Sequence, residues 1–457
     1  MHRRLGIAAA AIALGALGLA GAAAARPAPP DTGVRAAFFA NWDRYARGYL
    51  VKQIPANDLN VLDYAFAAPA ADGTCALTDV WSDFQAPTWS GGDSVDGVAD
   101  DPSNPDQHLF GNFEQLLKLK AAHPGLRIEM SLGGWTGSTF FSDVAATAAS
   151  RKAFVASCVD LIVKGDLPTG GWPEQAGGPG AAAGVFDGIN VDWEYPGIDP
   201  GNGAHHSPAD VANATALLQE FRTQLDAAGR AAGEHYTLTV DIPGGNVHST
   251  GSWQLRRVAR IVDWVNLMAF DYHGGWDPLT DFNSPFALDP REPAVGGGAI
   301  QWTWNTAGSV AYFLANGVPA DRLVVGIPFY GKEYVGVGGT GHGLYQPHGP
   351  APANDSPTYH DLVDTGLADA NLVPIGPTAV SRDGHGVNGF TRYVDLLAGA
   401  PWLYAPSLNG GTFVSYVDPG AVRERMALVH ALRLRGAFAW EISNDDDAHD
   451  LAAALGR

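Results

Sequence analysis

Eight short apolar runs punctuate this chain: Ala36 to Ala40, Val61 to Ala67, Arg127 to Leu132, Val185 to Val191, Tyr236 to Ile242, Trp264 to Phe270, Leu323 to Tyr330 and Gly436 to Ile442. Each has the length of a strand, and the stretches between them are long enough to hold helices. Several of those stretches carry helical periodicity. Phe113 to Ala122 places Leu116, Leu117 and Leu119 on a stripe, and Ala212 to Ala228 and Val422 to Leu434 repeat the pattern. Eight strands alternating with helices predict an α/β chain, a parallel (β/α)8 TIM barrel. In that fold the chemistry sits at the C-terminal ends of the strands. Polar and aromatic residues gather there: Asn41-Trp42, Ser131-Leu132-Gly133-Gly134-Trp135, Asp192-Trp193-Glu194, Asp271-Tyr272, Tyr330 and Trp440-Glu441.

A barrel needs about 250 residues, and this chain has 457. The largest surplus, 334–417, falls between the seventh and eighth strands. It holds its own strand signals at Gly389 to Tyr393 and Thr412 to Tyr416, which predict a small α+β insertion beside the cleft. The barrel then occupies 34–333 and is completed by 418–457. The N-terminus opens with His2-Arg3-Arg4, continues into an Ala/Leu-rich stretch and reaches Ala22 to Ala25. Basic, apolar and small-residue segments in that order read as a secretory leader over 1–25, followed by a linker over 26–33. The mature chain is expected outside the cell, free of the membrane and monomeric. Its two cysteines, Cys75 and Cys158, are as consistent with two buried thiols as with one bridge.

The fourth strand carries the densest chemistry. It reads Phe186-Asp187-Gly188-Ile189-Asn190-Val191-Asp192-Trp193-Glu194-Tyr195-Pro196. Residues two apart on a strand point the same way, so Asn190, Asp192 and Glu194 share one face and Ile189, Val191 and Trp193 the other. Burying two carboxyls and an amide side by side is costly unless they are paired or working. Neighbouring carboxyls also push their pKa values apart, which keeps one protonated near neutral pH.

Other chemistries find little support. With 28 basic against 48 acidic residues and a net charge of −20, a nucleic-acid partner is excluded. A formal Gly-x-Gly-x-x-Gly at Gly336, Gly338 and Gly341 lacks the helix a dinucleotide site requires. No spacing suggests a metal site, and no cofactor is expected. The chain has 13 Trp. Trp42, Trp135, Trp276 and Trp440 fall at strand ends, where flat aromatic faces suit the apolar faces of sugar rings.

Together these segments resemble glycoside hydrolase family 18 chitinases. Asp187 to Glu194 is similar to the family's Asp-Gly-x-Asp-x-Asp-x-Glu signature. Ser131 to Trp135 resembles its third-strand motif, Met268 to Asp271 its sixth, Ile327 to Gly331 its seventh and Trp440-Glu441 its eighth. The likeness runs from about Arg35 to Asn444.

The resemblance implies hydrolysis of β-1,4 bonds in chitin or chitooligosaccharides, endo-type and with retention. Two carboxyls on one strand approach a glycosidic bond from one side, whereas a nucleophile and an acid normally flank it. The implied nucleophile is therefore the substrate's own acetamido group, with Glu194 as acid and base and Asp192 orienting the acetamido N–H. Asn190 and Asp271 complete the catalytic set by resemblance. The implied sugar contacts are Trp42, Tyr45, Ser131, Gly133, Gly134, Trp135, Tyr195, Met268, Phe270, Tyr272, Trp276, Tyr330 and Trp440.

Three departures from the family stand out. Asn190 replaces the usual Asp, and its amide is expected to donate to Asp192 and alter the acid limb of the pH profile. Phe270 and Phe38 each replace a usual Tyr, removing hydroxyls worth about 0.5–1.5 kcal/mol apiece. Three rivals remain open: a silent lectin on the same fold, an endo-β-N-acetylglucosaminidase, and an unrelated barrel glycosidase using Glu441.

Overall fold

The computed structural model describes residues 33–245, 252–293, 302–369 and 371–456. The leader at 1–25 and the linker up to residue 32 lie outside the described residues.

Apolar runs became strands because each buries both faces, one against neighbouring helices and one inside a closed sheet. In chain order the strands are β1 (Val34–Ala40), β2 (Val61–Pro69), β3 (Cys75–Leu77), β4 (Arg127–Gly133), β5 (Gly188–Asp192), β6 (Thr237–Pro243) and β7 (Trp264–Met268). They continue with β8 (Leu323–Pro328), β9 (Lys332–Val335), β10 (Thr391–Asp395), β11 (Ala400–Ala405), β12 (Thr412–Ser415) and β13 (Gly436–Trp440). β1, β2, β4, β5, β6, β7, β8 and β13 pair in parallel in that order, and β13 returns to β1. The eight apolar runs are these strands, with ends displaced by a few residues.

Alternation sorts the side chains. Phe39, Leu62, Tyr64, Ile128, Met130, Leu132, Ile189 and Val191 point outward into the large core beneath the helices. Those helices include Gly111–Ala122, Asp210–Ala232 and Pro419–Leu432. Asp210–Ala232 stops at Gly233, whose φ of 77° suits a residue without Cβ. Inside the barrel the filling is divided. Ala36, Phe38, Val61, Trp264, Met268, Val324 and Phe438 form an apolar cluster. Asp63, Glu129, Ser131, Asn190, Asp192, Thr239, Asp241 and Asn266 are also buried, on β2 and β4 to β7.

Between β8 and β13 the chain forms a separate antiparallel sheet in the order β10-β11-β12-β9. Its core holds Tyr334, Val337, Trp402, Tyr404 and Phe413, together with Phe282 from the loop after β7. This sheet begins at Lys332, two residues before 334, so its first residues come from the segment read as barrel. Cys75 on β3 and Cys158, at the end of helix Ala148–Cys158, form a disulfide with a Cα separation of 5.0 Å. Among the described residues no helix is long and apolar enough to cross a membrane.

Candidate active site

The C-terminal strand ends open into a cleft of about 830 Å³. Asp192, Glu194, Asp241 and Asp271 supply its acids, and Trp42, Phe66, Trp135, Tyr195, Phe270, Trp276, Tyr330 and Trp440 supply its aromatic walls. Trp440 lies 5.0 Å from Phe38 and is stacked on Phe66 at 5.8 Å, so its ring is held from beneath. Trp42, Trp135 and Trp276 are 45%, 49% and 61% exposed. Such exposed indoles cost burial energy and suit a ligand with flat apolar faces.

β5 ends at Asp192, and Glu194 lies two residues further on, still facing the cleft. The backbone N–H of Glu194 donates to Ser138 Oγ at 2.9 Å, which fixes the chain beyond the strand. Burial pushes the Glu194 carboxyl up to about 7, with Asp271 adding to the effect and a Tyr195 hydrogen bond opposing it. Asp192 is raised well above the usual range by burial, then by Glu194, Asp241 and Asp63. Its Oδ1 is buried and has no hydrogen-bond partner among the described residues. Gly133 pairs with Asp192 across β4 and β5. A Cβ on Gly133 would stand 2.2 Å from the Asp192 carbonyl oxygen, and one on Gly134 would strike the Phe66 ring at 2.7 Å. The two glycines therefore let β4 approach these groups.

Below Asp192 the barrel interior carries a row of buried carboxyls. Asn190 accepts from Ser131 Oγ at 2.7 Å and donates to Thr239 Oγ1 at 3.0 Å and Asp241 Oδ1 at 3.1 Å. Thr239 Oγ1 in turn donates to Glu129 Oε2 at 2.6 Å. Burial drives Glu129 and Asp241 each up to about 7 and Asp63 well above the ordinary range. The Asn190 amide thus goes to Thr239 and Asp241, not to Asp192 as expected. The reason is register: Asn190 lies level with Thr239 on β6. Asp63, Glu129 and Asp241 escaped the sequence reading, although the same polar alternation within apolar strands marks them.

On the opposite wall, the backbone N–H of Asp271 donates to Asn283 Oδ1 at 2.9 Å, and its carboxylate pairs with Lys332 Nζ at 3.0 Å. Lys332 stands over the Trp276 and Tyr330 rings at 5.3 and 5.2 Å. Among the described lining residues it is the only basic side chain. It too was missed, because it starts a strand of the inserted sheet and only folding brings it to Asp271.

Five residues read as site residues are not brought to the cleft surface. Tyr272 turns into the core, where its hydroxyl lies 2.8 Å from Ser309 Oγ. Asp271 has a φ of 55°, so the strand alternation breaks there and Tyr272 departs from the site. Ser131 and Asn190 are fully buried beneath Asp192, and Gly133 serves the close approach described above. Tyr45 is half exposed outside the lining, its hydroxyl donating to Asp79 Oδ2 at 2.6 Å. Gly134, Trp135, Tyr195, Met268, Phe270, Trp276, Tyr330, Trp42 and Trp440 do line the cleft. Glu441, the acid an unrelated glycosidase would need, does not: its two oxygens accept from the N–H and hydroxyl of Ser443.

The family model for Glycosyl hydrolases family 18 matches residues 34–445. Chitinase A1 of Niallia circulans is 32% identical over 89% of this chain and 56% of its own length. Chitinase C of Streptomyces lividans is 31% identical over 91% of this chain and 58% of its own. The chain therefore spans little more than half of those two curated relatives. The solved catalytic domain of psychrophilic chitinase B from Arthrobacter TAD20 superposes with a TM-score of 0.79 at 29% identity, covering 93% of this chain and 95% of that one.

Proposed function

The chain belongs to glycosyl hydrolase family 18, and from that premise we propose that it is a secreted, retaining, endo-type chitinase acting on β-1,4 bonds between N-acetylglucosamine units. The observation that carries the reading is the pairing of Asp192 and Glu194 on one wall of an aromatic cleft, with Glu441 turned away. Secretion rests on the leader composition of residues 1–25. Endo-type action rests on aromatic faces spread along the cleft from Trp42 to Trp276. The relatives named above are called chitinases.

Glu194, held protonated near neutral pH by burial, donates its proton to the glycosidic oxygen as the C1–O bond breaks. The acetamido carbonyl oxygen of the sugar on the non-reducing side attacks C1 from the opposite face, giving an oxazolinium ion. Asp192 orients the acetamido N–H and faces the positive charge that develops there. Glu194, now a carboxylate, takes a proton from water as that water attacks C1 and opens the ring. Two inversions at C1 leave the β-anomer. Trp440 forms the floor under the sugar being cleaved, and Trp135 and Trp276 stack sugars on the leaving side. Asp271, fixed by Lys332, helps hold the acetamido group. The inserted sheet, which begins at Lys332 ahead of the domain taken over 334–417, reaches the cleft wall through Lys332.

The test is hydrolysis of a chitin oligosaccharide by wild type and Glu194→Gln, with the first anomer read by NMR. Initial β-anomer, abolished in the variant, is the expected result. Initial α-anomer would mean an inverting site, and binding without turnover would mean a lectin.

A further inference from the structure

The loop after β7, which runs to the helix Thr306–Ala315, carries a buried group that the glycosidase chemistry does not use. His273 is fully buried, and three carboxylates surround its imidazole. Nδ1 lies 3.1 Å from Asp277 Oδ2, within hydrogen-bond reach. Nε2 lies 3.5 Å from Glu292 Oε1 and 3.9 Å from Asp281 Oδ2, and makes no hydrogen bond among the described residues. These three ligand atoms all fall within 4.8 Å of one another.

The distances suit something between the groups better than contact between them. A zinc ion bonded to nitrogen and oxygen at about 2.1 Å holds tetrahedral ligands about 3.4 Å apart. The other atoms of the site are already committed. Asp281 Oδ1 accepts from the Phe282 N–H at 2.7 Å, which leaves Oδ2 to face His273. Asp277 accepts from the Gly274 N–H at 3.2 Å as well as from Nδ1. A carboxylate on one ring nitrogen that leaves the other for a metal is the usual support of a metal-bound histidine. Among the described residues no Lys or Arg is ion-paired with Asp277, Asp281 or Glu292. Three carboxylates within 3.9 Å of one buried ring therefore favour a cation between them.

We propose that His273, Asp281 and Glu292 bind a divalent cation of the Zn2+ class. The ion displaces the Nε2 proton and cross-links the loop after β7 to itself, from His273 to Glu292. That loop already joins the sheet: Thr280 donates to the Gly343 carbonyl and accepts from the Gln346 N–H at 3.0 Å, and Phe282 packs against Trp402. It also carries Trp276, so the ion would stiffen one wall of the cleft without touching substrate. A second grouping, His360, Asp364 and Asp447, is more exposed, and Arg382 neutralises Asp364 at 2.5 Å. It is a weaker competitor.

The experiment is calorimetric titration of chelator-treated protein with ZnCl2, together with thermal melts and metal content after gel filtration. Wild type, Glu292→Gln and Asp364→Asn are compared. One equivalent should bind wild type and Asp364→Asn and raise the melting temperature of both. Glu292→Gln should lose more affinity than the roughly 10–100-fold typical of an outer-shell partner and show no zinc-dependent melting shift. Glu292 lies on a loop, so this variant should fold, which circular dichroism without metal checks. No stoichiometric uptake by wild type would overturn the proposal and leave a buried imidazolium held by three carboxylates. Equal uptake by Glu292→Gln would overturn it as well, by placing the ion elsewhere.

Discussion

Replacing Asp241 with Asn should move the alkaline limb of kcat/KM to lower pH. Asp241 lines the cleft, is pushed up to about 7 chiefly by burial, and is raised further by the charge of Glu194, a repulsion that acts on both groups. The β5–β6 register pairs Val191 with Val240, so one further step sets Asp192 beside Asp241. Neighbouring strands are about 4.8 Å apart, and two residues along a strand add about 6.6 Å, which places the Asp241 and Glu194 carboxyls about 8 Å apart. At an effective dielectric near 20, that repulsion is about 2 kcal/mol, or about 1.5 pKa units. Solvent in the cleft reduces it, so a shift of about one unit is expected.

The sign follows from the roles. Above neutral pH Asp241 is ionised and opposes loss of the Glu194 proton, so the proposed acid stays loaded. Asn removes that opposition, and Glu194 deprotonates earlier. Below about pH 5 Asp241 is neutral, and Asn is close to isosteric with it and still accepts from Asn190. Initial rates on a chitooligosaccharide should be fitted from about pH 4 to 9. An alkaline limb that stays within about 0.2 units would refute the electrostatic reasoning. A uniform fall in rate at every pH would do so too, because it would mean a packing defect.

Three other outcomes follow from the same structure. Glu129 is raised by burial from 4.5 to about 7, so its contribution to stability is full below pH 4.5 and is lost as pH rises to 7. Glu129→Gln should gain on wild type by up to about 3 kcal/mol at pH 8 and show no gain at pH 4.5, as denaturant midpoints at both values will show. Phe270→Tyr restores a hydroxyl at the cleft lining, and kcat/KM should rise about two- to tenfold if that hydroxyl meets substrate; no change would remove Phe270 from the account of rate. Cys75→Ala with Cys158→Ala opens a loop spanning 83 residues. Chain entropy puts the loss near 4.5 kcal/mol, or about 5 °C in calorimetric melting temperature for a chain of this size, and an unchanged melting temperature would show the bridge to be dispensable.

Much of this architecture is written locally. Strand identity depends on short apolar runs, and a run such as Leu323 to Pro328 is apolar whatever surrounds it, so the barrel could be read before any contact was known. Asp192 and Glu194 were legible for the same reason: two-residue alternation within one strand sets their common face. The remainder depends on which distant segments meet. Asn190 turned to Asp241 because β5 and β6 pair in one register, and Tyr272 left the site because Asp271 takes a left-handed backbone conformation. Lys332 reaches Asp271, Cys75 reaches Cys158, and Glu292 reaches His273 only once loops close around the barrel. Side-chain periodicity is a property of a segment, whereas register, close approach and the pKa of a buried acid belong to the space between segments.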